Sequence, residues 1–289
     1  MVTIFTPTYN RAYIIGELYK SLCAQTYKDF EWLIVDDGSS DNTEELIQSF
    51  IDENKITIRY IKQENGGKHR AINRGTQAAK GELFSIVDSD DYLAPNAVEM
   101  LFTNYSPYKD DDTVARFSNP RMFKKGEDYY SGKSICCGIK EFIKKYPSVT
   151  EHWDSFKTKV LRKYPFPDIP GENFCSESIV FTTIGVHYKC LFFFGKYYIG
   201  EYVNDGLTVS SLKTRIKNPL YAQSVYQNKI ELSMDIIPSY LNYWRFVFHA
   251  GNGNFFNVKF QLASYILLPL SYLIYLRDRY KLRKLYLLN

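Results

Sequence analysis

Trp32-Leu33-Ile34-Val35-Asp36-Asp37-Gly38-Ser39 is an apolar tetrad that stops abruptly on two carboxylates and a glycine. The pattern recurs in Leu83-Phe84-Ser85-Ile86-Val87-Asp88-Ser89-Asp90-Asp91. Short β-rich runs without polar alternation read as strands buried on both faces, as in a parallel sheet. Open α/β sheets bind ligands outside the carboxyl ends of their strands, so both acidic clusters fall on the ligand-binding edge. Carboxylates crowded there repel one another unless a cation sits among them, and clustered hard oxygens suit Mg²⁺ or Mn²⁺. The pattern therefore predicts a metal-assisted site for a phosphate-bearing ligand.

Around these two runs the first hundred residues alternate strand and helix. Strands are expected at residues 2–5, 32–35, 56–61 and 83–87. A helix over 12–25 would bury Ile15, Leu18 and Leu22. A second would carry Leu46, Ile47, Phe50 and Ile51, opened by an Asp41/Glu44 capping box. A third would run over 68–79 and stop at Gly81. Such repetition means right-handed βαβ units and a parallel sheet. Residues 101–212 are less regular. Helices are expected again over 220–234 and 239–249, and a long apolar one over 255–276 after the Gly251-Asn252-Gly253-Asn254 break.

Composition narrows the class. The chain has 289 residues, 45% hydrophobic and 17% aromatic, enough for a large core. Five cysteines without a CxxC suggest a reduced, cytoplasmic setting. The first strand begins at residue 2, which leaves no room for a secretory leader and again favours the cytoplasmic side. The formal charge of +4 is matched by residues 277–284 alone, with five basic groups and one acidic, so the rest is formally neutral. A nucleic-acid-binding body, which would carry a basic face, is therefore not expected. The four histidines share no metal-ligand spacing, which argues against zinc.

No G-x-x-x-x-G-K-[ST] loop is present, and no G-x-G-x-x-G follows the first strand, so a P-loop NTPase or a dehydrogenase is disfavoured. Four other motifs each follow a strand: Thr6-Pro7-Thr8-Tyr9-Asn10-Arg11, Val35-Asp36-Asp37-Gly38-Ser39-Ser40-Asp41, the stretch from Asn65-Gly66-Gly67-Lys68 to Ala71-Ile72-Asn73-Arg74-Gly75, and Asp88-Ser89-Asp90-Asp91. In this order they resemble family-2 inverting glycosyltransferases of the bacterial surface-polysaccharide type. The resemblance covers roughly residues 1–100.

The resemblance implies a GT-A nucleotide-diphospho-sugar transferase fold, a Rossmann-like, mostly parallel α/β sheet flanked by helices. Residues 1–212 would form the catalytic domain, with 1–100 as the donor half and 101–212 as the acceptor half. Residues 213–289 would be a helical C-terminal extension. Thr6, Pro7 and Thr8 would line the nucleotide pocket, and Asp37 would accept the uracil N3–H of a UDP-sugar. Asp88 would hold the ribose or a metal-bound water, with Ser89 beside it. Asp90 would bind Mg²⁺ or Mn²⁺, supported by Asp88 and Asp91. Lys68, Arg70 and Asn73 would stand near the phosphates. Many members read Ala-Arg-Asn where this chain has Ala71-Ile72-Asn73, and Lys68, Arg70 or Arg74 would supply the missing charge.

Inversion needs a carboxylate to take the acceptor hydroxyl's proton. In similar enzymes it lies in an acidic pair opening a helix in the second half, and here the candidates are Glu172 and Glu177. Ser176 would cap a helix over 179–184 with Glu177 in its first turn. His152-Trp153-Asp154 reads equally as an acceptor-stacking trio or as a structural aromatic between surface neighbours.

Residues 260–276 would span about 25 Å as a helix, short of the ~30 Å hydrocarbon core. With the basic run 277–284 behind it, this segment suits the inner face of a membrane and a lipid-linked saccharide acceptor. The implied enzyme is a hexosyl- or N-acetylhexosaminyltransferase of capsule, O-antigen or related envelope glycan synthesis. The rival readings are an inactive GT-A scaffold of a polysaccharide assembly complex, a nucleotidyltransferase and a non-enzymatic peripheral membrane protein. The intact Asp88-Ser89-Asp90 argues against the first. The absence of a Gly-rich basic loop after strand one argues against the second, and the four strand-end motifs against the third.

Overall fold

Every residue of Val2–Thr8 (β1) and Phe30–Asp36 (β2) is buried, as strands covered on both faces must be. The two pair in parallel from Val2 opposite Phe30 to Thr8 opposite Asp36. Both strands run past the expected apolar tetrads, so Thr6, Pro7, Thr8 and Asp36 belong to the sheet itself. The computed structural model describes residues 1–120, 122–123, 133–146, 151–200, 211–251 and 262–286.

Between β1 and β2 lies α1 (Ile15–Cys23), and after β2 come α2 (Thr43–Asp52), β3 (Thr57–Lys62), α3 (Lys68–Ala78), β4 (Leu83–Ile86), β5 (Asp91–Leu93) and α4 (Ala97–Tyr105). The chain continues through β6 (Val114–Pro120), β7 (Met122–Phe123), β8 (Ile135–Cys137), α5 (Ile139–Lys145), β9 (His152–Lys157) and α6 (Thr158–Leu161). Then follow α7 (Ser178–His187), β10 (Lys189–Phe192), β11 (Tyr198–Gly200), α8 (Ser211–Lys217), α9 (Pro219–Glu231), α10 (Ile236–Ala250) and α11 (Leu268–Tyr286).

The main sheet has the order β3-β2-β1-β4-β9-β6-β10-β8, and β5-β11-β7 form a small second sheet. The strands β3, β2, β1 and β4 are mutually parallel, whereas β9 enters antiparallel between β4 and β6. Because β4 stops opposite Phe5, Pro7, with no N–H to donate, stands beyond that ladder.

Local chemistry explains the helices. α1 buries Ile15, Leu18, Tyr19 and Leu22 along one stripe. α3 approaches β1 so closely that a Cβ on Gly75 would sit 2.1 Å from the Phe5 ring. The capping box expected for α2 does not form. Asp41 Oδ1 instead accepts the Thr43 N–H at 3.1 Å, and Glu44 pairs with Lys62 at 2.6 Å. Within β2, Glu31 is buried beside Thr3, Arg59 and the Lys80 N–H. Burial alone would raise its carboxyl's pKa, but the bonds from those three donors outweigh it and hold the pKa below the usual carboxylate range.

Of the two readings of His152-Trp153-Asp154, the contacts of Trp153 and Asp154 favour the structural one. Trp153 is buried and donates its indole N–H to Ser85 at 2.8 Å, while Asp154 takes a two-point bond from buried Arg116 at 2.8 and 2.7 Å. A pairing of this kind is strong because fork and carboxylate match.

The chain divides into two compact units, Met1–Phe166 with Ile184–Val203, and Pro167–Thr183 with Asn204–Asn289. In the second, Tyr243, Trp244 and Val247 form a core with Tyr226, Ile230, Phe248, Tyr265 and Leu268. Arg245 and His249 of α10 both reach buried Asp278 of α11, tying the two helices together. Gly251, at φ +65°, ends α10 in the left-handed conformation that glycine accepts freely.

The single apolar helix expected over 255–276 is corrected. Residues 255–261 lie outside the described residues, Leu262–Leu267 form a 3₁₀ turn, and the α-helix starts only at Leu268. Pro269 explains the start, since its ring and missing N–H are tolerated only in a first turn. Among the described residues no helix is long and apolar enough to cross a membrane.

Candidate active site

β2 delivers Asp36 and Asp37 to the sheet edge, and their carboxylates have different partners. Asp36 is fully buried, accepting the Ser39 N–H at 2.8 Å and the Tyr60 hydroxyl at 2.5 Å. Burial first, then the neighbouring Asp36, pushes the Tyr60 phenol far above its ordinary range. Asp37 faces the next loop. One oxygen accepts from Gln63 Nε2 at 2.7 Å and the Gly66 N–H at 2.9 Å, and the other from the Gly67 N–H at 2.7 Å. Gly38 makes the approach possible: at φ +84°, a Cβ there would meet the Asn65 nitrogen at 2.9 Å. A carboxylate offers about four acceptor positions, so Asp37 holds the 63–67 loop and keeps one position for another donor.

The loop after β1 is sewn to the loop after β2. Asn10, at φ +52°, accepts the Ser40 N–H and donates its own N–H to Ser39 Oγ, both at 2.8 Å. Asp41 accepts the Ala12 N–H at 3.1 Å. Thr6 is fully buried and accepts the Trp32 indole N–H at 2.9 Å. Buried Thr8 has a hydroxyl with no hydrogen-bond partner among the described residues.

After β4 the chain turns through Asp88, Ser89, Asp90 and Asp91. The three carboxylates each bring an oxygen within 4.8 Å of the others. Asp91 is buried and accepts the Tyr198 hydroxyl at 2.6 Å. The same hydroxyl accepts the Asp88 N–H at 3.3 Å. Tyr198 arrives on β11, which runs antiparallel to β5 and places Gly200 opposite Asp91. Nothing local in the sequence marks Tyr198 as part of the cluster; the antiparallel pairing brings it there. Lys68, the first residue of α3, lies 2.7 Å from Asp88.

The cations expected near the phosphates are placed unequally. Arg70 donates to the Gly66 carbonyl and stays on the loop that Asp37 organises. Arg74 is exposed, and Ile72 is buried in the arginine's usual place. Asn73 exchanges two bonds of 2.9 Å with the backbone of Phe166, anchoring that segment to α3.

In the second unit, Glu172 is buried and accepts the N–H groups of Leu220 at 2.8 Å and Tyr221 at 2.7 Å, capping α9 from a distance. α7 begins at Ser178, so half-buried Glu177 immediately precedes it, and the Glu177 carbonyl accepts the first helical bonds from Val180 and Phe181. Ser176 bonds the Ser178 hydroxyl at 3.0 Å. Burial, then the charges of Glu177 and Glu172, pushes the Cys175 thiol up to about 12, so it stays a thiol.

The glycosyl transferase family 2 model matches residues 3–168. Glycosyltransferase GlyG of Streptococcus pneumoniae serotype 4 is 34% identical over 120 residues, which are 41% of this chain and 40% of that relative's own length. The matched stretch thus spans well under half of that protein. S. aureus TarS 1-349 in complex with UDP-GlcNAc superposes with a TM-score of 0.64 at 17% identity, covering 96% of this chain and 81% of that one. Mannosyltransferase PcManGT from Pyrobaculum calidifontis, in complex with GDP-Man and Mn²⁺, gives 0.55 at 19% identity, covering 96% and 81%.

Proposed function

The chain belongs to glycosyl transferase family 2 and has the GT-A fold, and from that premise we propose that it moves a sugar from a nucleotide-sugar donor to an acceptor hydroxyl. The Lys68–Asp88 ion pair carries this reading. It links the loop gathered by Asp37 to the acid cluster after β4, so a base-recognition site and a diphosphate site form one continuous edge. The open position on Asp37 suits uracil N3–H. A UDP-sugar, hexosyl or N-acetylhexosaminyl, is the donor class that follows.

Asp88, Asp90 and Asp91 fit a divalent cation, since their oxygens are hard, close together and set in a tight turn. Mg²⁺ or Mn²⁺ bound there supplies positive charge against a departing diphosphate. Lys68 and Arg70 add fixed charge on the same side. Glu177 takes the acceptor hydroxyl's proton as that oxygen attacks the anomeric carbon. The bond from that carbon to the phosphate oxygen breaks on the opposite face, giving inversion and releasing the nucleoside diphosphate. Glu172, whose two oxygens are engaged by α9, supports the local backbone instead.

The acceptor we propose is a lipid-linked saccharide of surface-polysaccharide synthesis, met at the inner face of the membrane. Leu270, Leu273 and Tyr280 of α11 are 49%, 61% and 68% exposed, and Arg277, Arg279, Lys281 and Arg283 are exposed on the same helix. An apolar face with basic neighbours suits anionic headgroups, at about 1 kcal/mol per charge. Co-sedimentation with phosphatidylglycerol vesicles is expected, and a variant with Leu270, Leu273 and Tyr280 replaced by serine is expected to stay in solution. Equal sedimentation of the two proteins would remove the membrane role of α11.

The donor assignment is tested by isothermal titration with a panel of nucleoside diphosphates. UDP is expected to bind in Mn²⁺ and to be released by EDTA. Absence of any metal-dependent nucleotide binding by folded protein would overturn the proposal.

A further inference from the structure

We propose that a cavity in the second unit receives a phosphoryl group carried by the acceptor, a reading that rests on the transferase assignment above. The cavity has a volume of about 60 Å³ and lies between the start of α7 and the facing sides of α8 and α9. Ser176, Ser178, Arg215, Tyr226 and Lys229 supply its polar lining over an apolar floor that includes Val225.

Its electrostatics are one-sided. Arg215 makes a single long bond, 3.4 Å, to the Tyr226 hydroxyl, and among the described residues no carboxylate lies within ion-pair distance of it. Lys229 makes one long ion pair, 3.9 Å, with Asp235, itself mostly exposed. Ser176 and Ser178 share one hydrogen between their hydroxyls, so the other remains to donate. Glu177 sits between these serines in sequence but does not line the cavity.

Among the described residues, every charged group of the lining is thus a cation, with hydroxyls beside them. A neutral sugar hydroxyl would leave Arg215 without a counter-charge, and a cationic group would be repelled. An oxyanion satisfies the guanidinium fork, the ammonium and the hydroxyl together. The volume admits about four or five water-sized atoms, which is the scale of a phosphoryl group. The donor's diphosphate has its own cations and acid cluster in the first unit, so this second set is matched to the other substrate.

The test is isothermal titration of the full chain with glycerol 3-phosphate, with glycerol as the neutral control, alongside the UDP titration in Mn²⁺. Wild type and Asp90→Ala are expected to bind glycerol 3-phosphate equally and glycerol not at all. Arg215→Gln and Lys229→Gln are each expected to weaken that binding about tenfold while retaining UDP binding, which also shows that they fold. The proposal is overturned if wild type does not bind glycerol 3-phosphate, if neither glutamine variant weakens it, or if Asp90→Ala abolishes it. In all three cases UDP binding by wild type would leave the transferase reading standing. Binding of glycerol 3-phosphate without binding of any nucleotide would instead remove that reading, and with it the acceptor role of the cavity.

Discussion

Alanine at Asp90 is expected to lower sugar transfer about a thousandfold without unfolding the protein. Asp88 and Asp91 also hold neighbouring side chains in place. Removing Asp91 would strip the buried Tyr198 hydroxyl of its acceptor, and removing Asp88 would strip Lys68 of its counter-charge. Loss of Asp91 would confound chemistry with stability, because an abandoned buried donor costs about 1–3 kcal/mol. Loss of a metal ligand weakens charge stabilisation worth several kcal/mol, and about 4 kcal/mol corresponds to roughly a thousandfold. The measurement is nucleotide release from a UDP-sugar, with Mn²⁺ varied, beside a thermal melt. Activity within a few-fold of wild type at every Mn²⁺ concentration, with an unchanged melt, would mean that the acid cluster is not the diphosphate site.

How much of this site is legible in the sequence depends on how local each feature is. Asp36, Asp37 and Asp88 are legible because an apolar run that stops on carboxylates has the form of a buried strand reaching its sheet edge. Their partners are not. Asp37 holds the 63–67 loop only because Gly38 permits a backbone approach that no pattern in one segment encodes. Tyr198 reaches Asp91 from 107 positions away, through the pairing of β11 with β5. Asn73 carries a donor-side motif, yet it clamps the backbone of Phe166, 93 positions on. The helix expected over 255–276 starts late because apolarity alone does not register Pro269. Periodicity says which face is buried, whereas proline says where a helix can begin. For the site residues the missing information is tertiary, and its bearers are ordinary residue types.

Replacing Glu177 by glutamine is expected to lower kcat by 10²–10⁴, the range that general-base catalysis supplies, while leaving the UDP affinity unchanged. The substitution keeps the shape of the side chain and removes only its capacity to take a proton. Glu177 immediately precedes α7, where the partial positive charge of a helix start favours a carboxylate. Glu172→Gln supplies the contrast. Its two charge-assisted bonds to the first turn of α9, at 2.8 and 2.7 Å, make it a cap, and weakening a cap costs about 1 kcal/mol. That variant is expected to melt several degrees earlier and to retain most of its turnover below its melting range. The two variants separate the roles because chemistry and stability are read independently, by product formation and by thermal melt. If Glu172→Gln lost turnover at unchanged melting temperature while Glu177→Gln kept it, the base would be Glu172. The α9 bonds would then serve to orient a reactive carboxylate and not to close a helix. If neither variant lost turnover, the proton would leave by a group outside this acidic pair.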